Sequence, residues 1–145
     1  MRIQRKDFWK NYFKFRTASW DIRDFVALIM EKAGENNIPA DVVYDTFYSG
    51  GILSRNEGDC AVIFNPDYPK DCARFCLIQS STEYNRLIEG WKLYFSSNTI
   101  PSTAKSRSTS LKDLSTALFG PNKSANMWSN IMEEIFVEME RELSK

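Results

Sequence analysis

The sequence predicts an α+β fold in which five to six helices pack around a central antiparallel β-hairpin, residues 60–65 and 73–79, with residues 52–53 as a candidate extra strand. Three observations lead there. Residues 60–64 and 75–78 are short, near-continuous apolar runs bounded by turn residues, the pattern of strands covered on both faces. Most of the other apolar residues recur at helical spacing. The two strands also follow one another directly, and an ααα-ββ-ααα order belongs to an α+β domain, not to alternating βαβ units. A lone hairpin is marginal in water, so this one is expected to seed a shared core.

Taken in order, residues 5–16 carry Phe8, Trp9, Tyr12, Phe13 and Phe15 at helical spacing, with Lys6, Lys10 and Lys14 four apart as a basic stripe. They read as a first helix. Thr17, Ala18 and Ser19 interrupt it; Ser19 can cap, and Asp21 and Asp24 suit the positive first turn of a second helix. Ile22, Phe25, Val26, Ile29 and Ala33 form that helix's buried stripe, and Gly34 ends it. Pro39 opens a third helix over residues 39–49, with Val42, Val43 and Phe47 inward, stopped by Gly50 and Gly51. A polar turn over 54–59 delivers the chain to the hairpin.

The loop between the two strands, residues 66–71, is longer than the ~2–5 residues usual in hairpins and carries two prolines. Residues 80–83 prepare a fourth helix, whose apolar Tyr84, Leu87, Ile88, Trp91 and Phe95 keep the helical period, weakened by Gly90. Residues 96–110 hold nine Ser or Thr and no apolar periodicity, the composition of a mobile surface loop. A capping-box pattern at 110–113 starts a short helix carrying Leu111, Leu114, Leu118 and Phe119. The last helix covers residues 124–143, with Trp128, Ile131, Ile135, Met139 and Leu143 inward and Glu134, Glu138 and Glu142 outward.

A chain of 145 residues, 43% apolar and 26% charged, fits one soluble globular domain spanning residues 1–145, without need of a disulfide or metal staple. Lys plus Arg balances Asp plus Glu at 19 each, so no overall attraction to nucleic acid or anionic lipid follows. No apolar run approaches membrane-spanning length, and the first residues lack the apolar centre of a secretion signal. With three cysteines, an odd number, the cytoplasm is the expected location and no membrane partner is expected. Histidine is absent. Its absence removes the commonest general base, the commonest metal ligand and every Ser/His or Cys/His dyad.

The two ends carry opposite charge: net +5 over residues 1–16 and net −3 over residues 131–145. Like charges four apart on a helix cost roughly 0.2–0.5 kcal/mol per pair, so each stripe gains from a partner of opposite sign. The basic N-terminal and acidic C-terminal helices are therefore expected to face each other, within one chain or across a homodimer, unless each is simply solvated.

Asp41 and Asp45 on one helical face could hold a divalent cation, although a first-turn position explains Asp41 without one. Cys60, Cys72 and Cys76 lack the fourth ligand of a structural zinc site and read as buried apolar thiols. Ser49, Gly50 and Gly51 lack the lysine and strand-to-helix setting of a phosphate loop. No catalytic residue, cofactor or metal is assigned. The expected function is a non-enzymatic cytosolic protein-binding module, of the immunity-protein, antitoxin or small regulatory kind, with partner contacts at Asp67, Tyr68, Lys70 and Asp71. Nucleic-acid binding through Lys6, Lys10, Lys14, Lys105 and Arg107, with bases stacked on neighbouring rings, is the alternative. A histidine-independent enzyme using the carboxylates or Cys72 is the second alternative.

Overall fold

The computed structural model describes residues 3–48, 56–70, 72–81, 84–94 and 121–144. Among them are strands β1 (Ile3–Gln4), β2 (Phe8–Thr17), β3 (Asp41–Tyr48), β4 (Asn56–Phe64), β5 (Phe75–Ser81) and β6 (Arg86–Leu93). Two α-helices, α1 (Ile22–Glu35) and α2 (Pro121–Leu143), complete the elements with a 3-10 turn at Arg5–Asp7. The strands make one sheet in the order β1-β3-β4-β5-β6-β2, with β1 parallel to β3 and every other pair antiparallel. This corrects the expected class. The described chain is a β-rich curled sheet with two helices, not five to six helices around a hairpin. The candidate strand at 52–53, the loop at 96–110 and the short helix after it lie outside the described residues.

Three segments expected as helices are strands, each for a physical reason. In β2 the register slips against β6 between Phe8 and Lys10 and again between Asn11 and Phe13. Each slip adds a residue and breaks the period-two alternation, so Phe8, Tyr12 and Phe13 are all buried at a spacing that imitates a helix. β3 reads Asp-Val-Val-Tyr-Asp-Thr-Phe-Tyr, rich in β-branched and aromatic residues that fit a pleated surface. Pro39 precedes this strand instead of opening a helix. In β6, Gly90 leaves room for the Phe13 ring of β2, which fills the space that a Cβ would need.

β4 and β5 occupy the middle of the sheet as an antiparallel pair, Cys60 opposite Ile78, Val62 opposite Cys76 and Ile63 opposite Phe75. Both faces are buried. Ala61, Ile63, Phe75 and Leu77 point to one side, where α1 and α2 cover them with Phe25, Ile29, Trp128, Met132, Ile135, Phe136 and Met139. Cys60, Val62, Cys76 and Ile78 point to the other, where they meet Ile3, Phe8, Phe47 and Leu93. That second cluster draws on all six strands, and the Phe8 ring of β2 stacks 5.4 Å from the Phe47 ring of β3. Three strands separate β2 from β3 in the sheet, which if flat would hold them about 19 Å apart. The sheet therefore rolls up towards this face. The turn at Arg5–Asp7 joins its two edge strands directly, which only a curled sheet permits.

The helices follow their sequence signals. Asp21, rather than the expected Ser19, caps α1 by accepting from the N–H groups of Arg23 and Asp24, and the Asp24 carboxylate accepts in return from Asp21 N–H. Gln79 of β5 accepts the Ile22 N–H, so the sheet itself completes the cap. Asn37, at φ 57°, turns the chain after Glu35 in the left-handed region that asparagine tolerates. The buried residues of α1 are the expected five. The indole N–H of Trp128 donates to the Pro39 carbonyl, and Lys32 of α1 pairs with Glu138 and Glu142 at 3.0 and 3.5 Å, tying α2 down along its length.

Candidate functional site

Phe8 is the first residue of β2 and turns into the curl. Trp9, next along the strand, points the other way, out of the sheet, where it is 54% exposed. Its ring stacks against Tyr94, just past β6, at 6.1 Å and 27° between planes. Tyr94 is also exposed, yet held: its N–H donates to the Asp7 carbonyl at 2.9 Å. Lys92 completes the group, its Nζ 4.9 Å from the centre of the Trp9 ring. The result is a preformed aromatic platform on the surface, backed by a cation.

Beside the platform, Lys10 and Lys92 stand directly opposite each other across β2 and β6. Like charges in that position repel. Glu133 of α2 reaches between them, 3.0 Å from Lys10 Nζ and 3.7 Å from Lys92 Nζ. Burial alone would raise the Glu133 carboxyl, but the hydrogen bond from Lys10, reinforced by the charges of Lys92 and Lys10, holds it below the ordinary carboxylate value. Under Lys10 lies Tyr12, whose hydroxyl is buried with no hydrogen-bond partner among the described residues. Burial first, and then the Glu133 charge, push this phenol well above its usual value, so it stays protonated.

A second pair of exposed rings flanks α1. Trp20 lies edge-on to Phe25 at 5.5 Å, and Arg23 sits 4.6 Å over Tyr44, so each leans on its own support. Between Trp20 and the helix runs a shallow depression of about 420 Å³ lined by Ser19, Asp24, Ala27, Leu28 and Glu31. Only at Trp9 and Tyr94 are two large exposed rings, among the described residues, stacked on one another.

The residues expected to contact a partner are scattered by the structure. Tyr68 is buried in the core beneath the helices, so its ring is not offered to a partner. Asp67 is half-buried where Asn65 turns the chain and accepts the Asp67 N–H at 2.9 Å; Lys70 is exposed, and Asp71 lies outside the described residues. The basic stripe also divides. Lys10 meets Glu133 on the helix-covered face, whereas Lys14 approaches the buried Glu89 at 3.8 Å on the inner face. Lys6 is exposed before β2, and Lys105 and Arg107 lie outside the described residues. The opposite charges of the two ends do meet within one chain, but as a strand against a helix and through Glu133.

The remaining chemical candidates are accounted for locally. Asp41 and Asp45 each accept the N–H of the following residue, Val42 at 2.8 Å and Thr46 at 2.7 Å. Among the described residues β1 pairs with Phe47 and Tyr48 of β3, and further along that strand these carboxylates occupy backbone donors. Burial pushes the Cys72 thiol up despite hydrogen bonding with Ser129 and Asn65, which is unlike a reactive thiolate. Cys60 and Cys76 face each other inside the curl, where burial raises the Cys76 thiol further. Among the described residues no group of three or more Cys, Asp or Glu is placed to hold a metal ion, and no helix is long and apolar enough to cross a membrane.

Sequence reasoning took Trp9 for a core residue. A strand reading of residues 8–17 puts neighbouring rings on opposite faces and would have singled out Trp9 beside Phe8. No family model, no curated protein and no solved structure matches the chain.

Proposed function

We propose that this chain is a non-enzymatic cytoplasmic protein-binding module, of the immunity-protein, antitoxin or small regulatory kind, which engages its partner through the Trp9–Tyr94 platform. One observation carries the reading: two large exposed rings are stacked on each other and fixed by Lys92 and by the Tyr94 backbone, without packing beneath any described element. Aromatic side chains of this kind dominate interface energetics because they bury much area at little entropic cost. Their preorganisation lowers that cost further. The three cysteines, none in a disulfide, fit a reducing compartment.

The test is site-directed photocrosslinking in native cytosol. With a photoreactive phenylalanine analogue at position 9, the chain is expected to capture one discrete protein, and Tyr94→Ala should abolish that adduct. The same analogue placed at Lys70 should capture it weakly or not at all. Equal capture from both positions, or none from position 9 in a folded protein, contradicts the reading.

A further inference from the structure

We infer that the segment a partner lays across Trp9 and Tyr94 is acidic, carrying a carboxylate beside an apolar side chain; this rests on the docking role proposed above. The inference comes from the charge around the rings. Among the described residues Lys10 and Lys92 share the single carboxylate of Glu133, so one formal positive charge is left over beside the platform. Lys10 holds its head half in solvent, with 51% of its side chain exposed, and can take a second carboxylate without leaving the first. Lys92 lies against the Trp9 ring, so a carboxylate meeting it arrives while the adjoining apolar side chain covers the ring faces.

The same geometry argues against a nucleic acid on these rings. On the α2 side of Lys10 the surface turns acidic: Glu133, Glu134 and Glu138 line an open depression of about 520 Å³ together with Val137 and Arg141. A phosphodiester chain brings a charge with every nucleotide and meets these acids on that side. A peptide with one or two carboxylates needs only the two lysines.

The test follows the Trp9 indole N–H by NMR, assigned through Trp9→Phe, during titration with short capped peptides that share a Leu-Pro-Leu centre and differ only in flanking Glu, Gln or Lys. A short oligothymidylate forms the fourth arm. The Glu peptide is expected to shift the Trp9 signal saturably and to weaken as salt is added. Lys10→Gln should weaken it by about two- to fivefold, in line with one partly exposed ion pair, and Lys10→Arg should restore it. Equal or tighter binding of the Gln or Lys peptide would overturn the acidic assignment while leaving the docking role intact. Tightest binding by the oligothymidylate would assign the platform to nucleic acid. Silence of Trp9 towards all four probes would remove the docking role together with the inference.

Discussion

Phe8 and Trp9 adjoin in the chain and part company in the fold. The Phe8 ring enters the curl of the sheet and stacks on Phe47 at 5.4 Å and on Trp91 at 5.2 Å; the Trp9 ring leaves the sheet and stacks on Tyr94 at the surface. The contrast repeats on β6, where Leu93 is buried and Tyr94 exposed. One stack joins strands that are four places apart in the sheet and so holds the curl shut. The other joins two residues at one rim and leaves the curl unchanged. The proposed docking role belongs to the second stack, a ring pair held at the surface and not buried in the core.

The largest expected effect comes from breaking the inner stack. Phe8→Ala should cost about 3–5 kcal/mol, the range for a large buried ring, measured by urea unfolding. Trp9→Ala should stay within about 1 kcal/mol. Comparable losses from both would erase the distinction between a ring that holds the sheet and one that serves a partner.

Next comes Gly90, where a Cβ has no room beside Phe13. Gly90→Ala is expected to cost about 1–3 kcal/mol by overpacking, and Phe13→Leu in the same chain should recover part of that loss. Strict additivity of the two substitutions would mean that the Phe13 ring is not what excludes the side chain.

A smaller effect concerns the clamp beside the platform. Because Glu133 has a carboxyl lowered in the folded state, the stability it supplies is present above its unfolded value and is lost as pH falls through the folded one. Glu133→Gln should therefore flatten the acid limb of the stability–pH curve, with a change of about 1 kcal/mol or less at neutral pH. Retention of the full acid limb in Glu133→Gln would mean that other carboxylates carry it. The mildest expectation is at the β3 edge: Asp41→Ala with Asp45→Ala should leave the fold in place and raise self-association in sedimentation, since two shielded donors become available to another strand.

Some of this was legible beforehand and some was not, for identifiable reasons. The two helices announced themselves through local chemistry: Asp21 and Asp24 open α1, with Asp21 taking the cap position expected of Ser19, and Ile22, Phe25, Val26, Ile29 and Ala33 are buried at helical spacing on an uninterrupted segment. Residues 60–64 and 75–78 likewise announced strands buried on both faces, since unbroken apolar runs have few other uses. β2 concealed itself because two register slips scatter its buried rings, and β6 because its glycine answers a neighbour's ring, Phe13, that is distant in sequence. β3 was misread through Pro39 despite its strand-forming composition. The curl left no local trace, because it resides in the pairing of β1 with β3 and of β2 with β6. The site shared that fate: Tyr68 sits in the expected loop but turns its ring into the core, while Trp9, grouped with the core rings by helical spacing, is at the surface.

The separation of Phe8 from Trp9 is tested most directly by nuclear Overhauser contacts between assigned ring protons in solution. The curled sheet predicts contacts from Phe8 to Phe47 and Trp91, and from Trp9 to Tyr94 alone among the rings. Contacts from Phe8 to Phe136 of α2, or from Trp9 to Phe47, would place the two side chains on the opposite faces and contradict both the fold and the platform built on it.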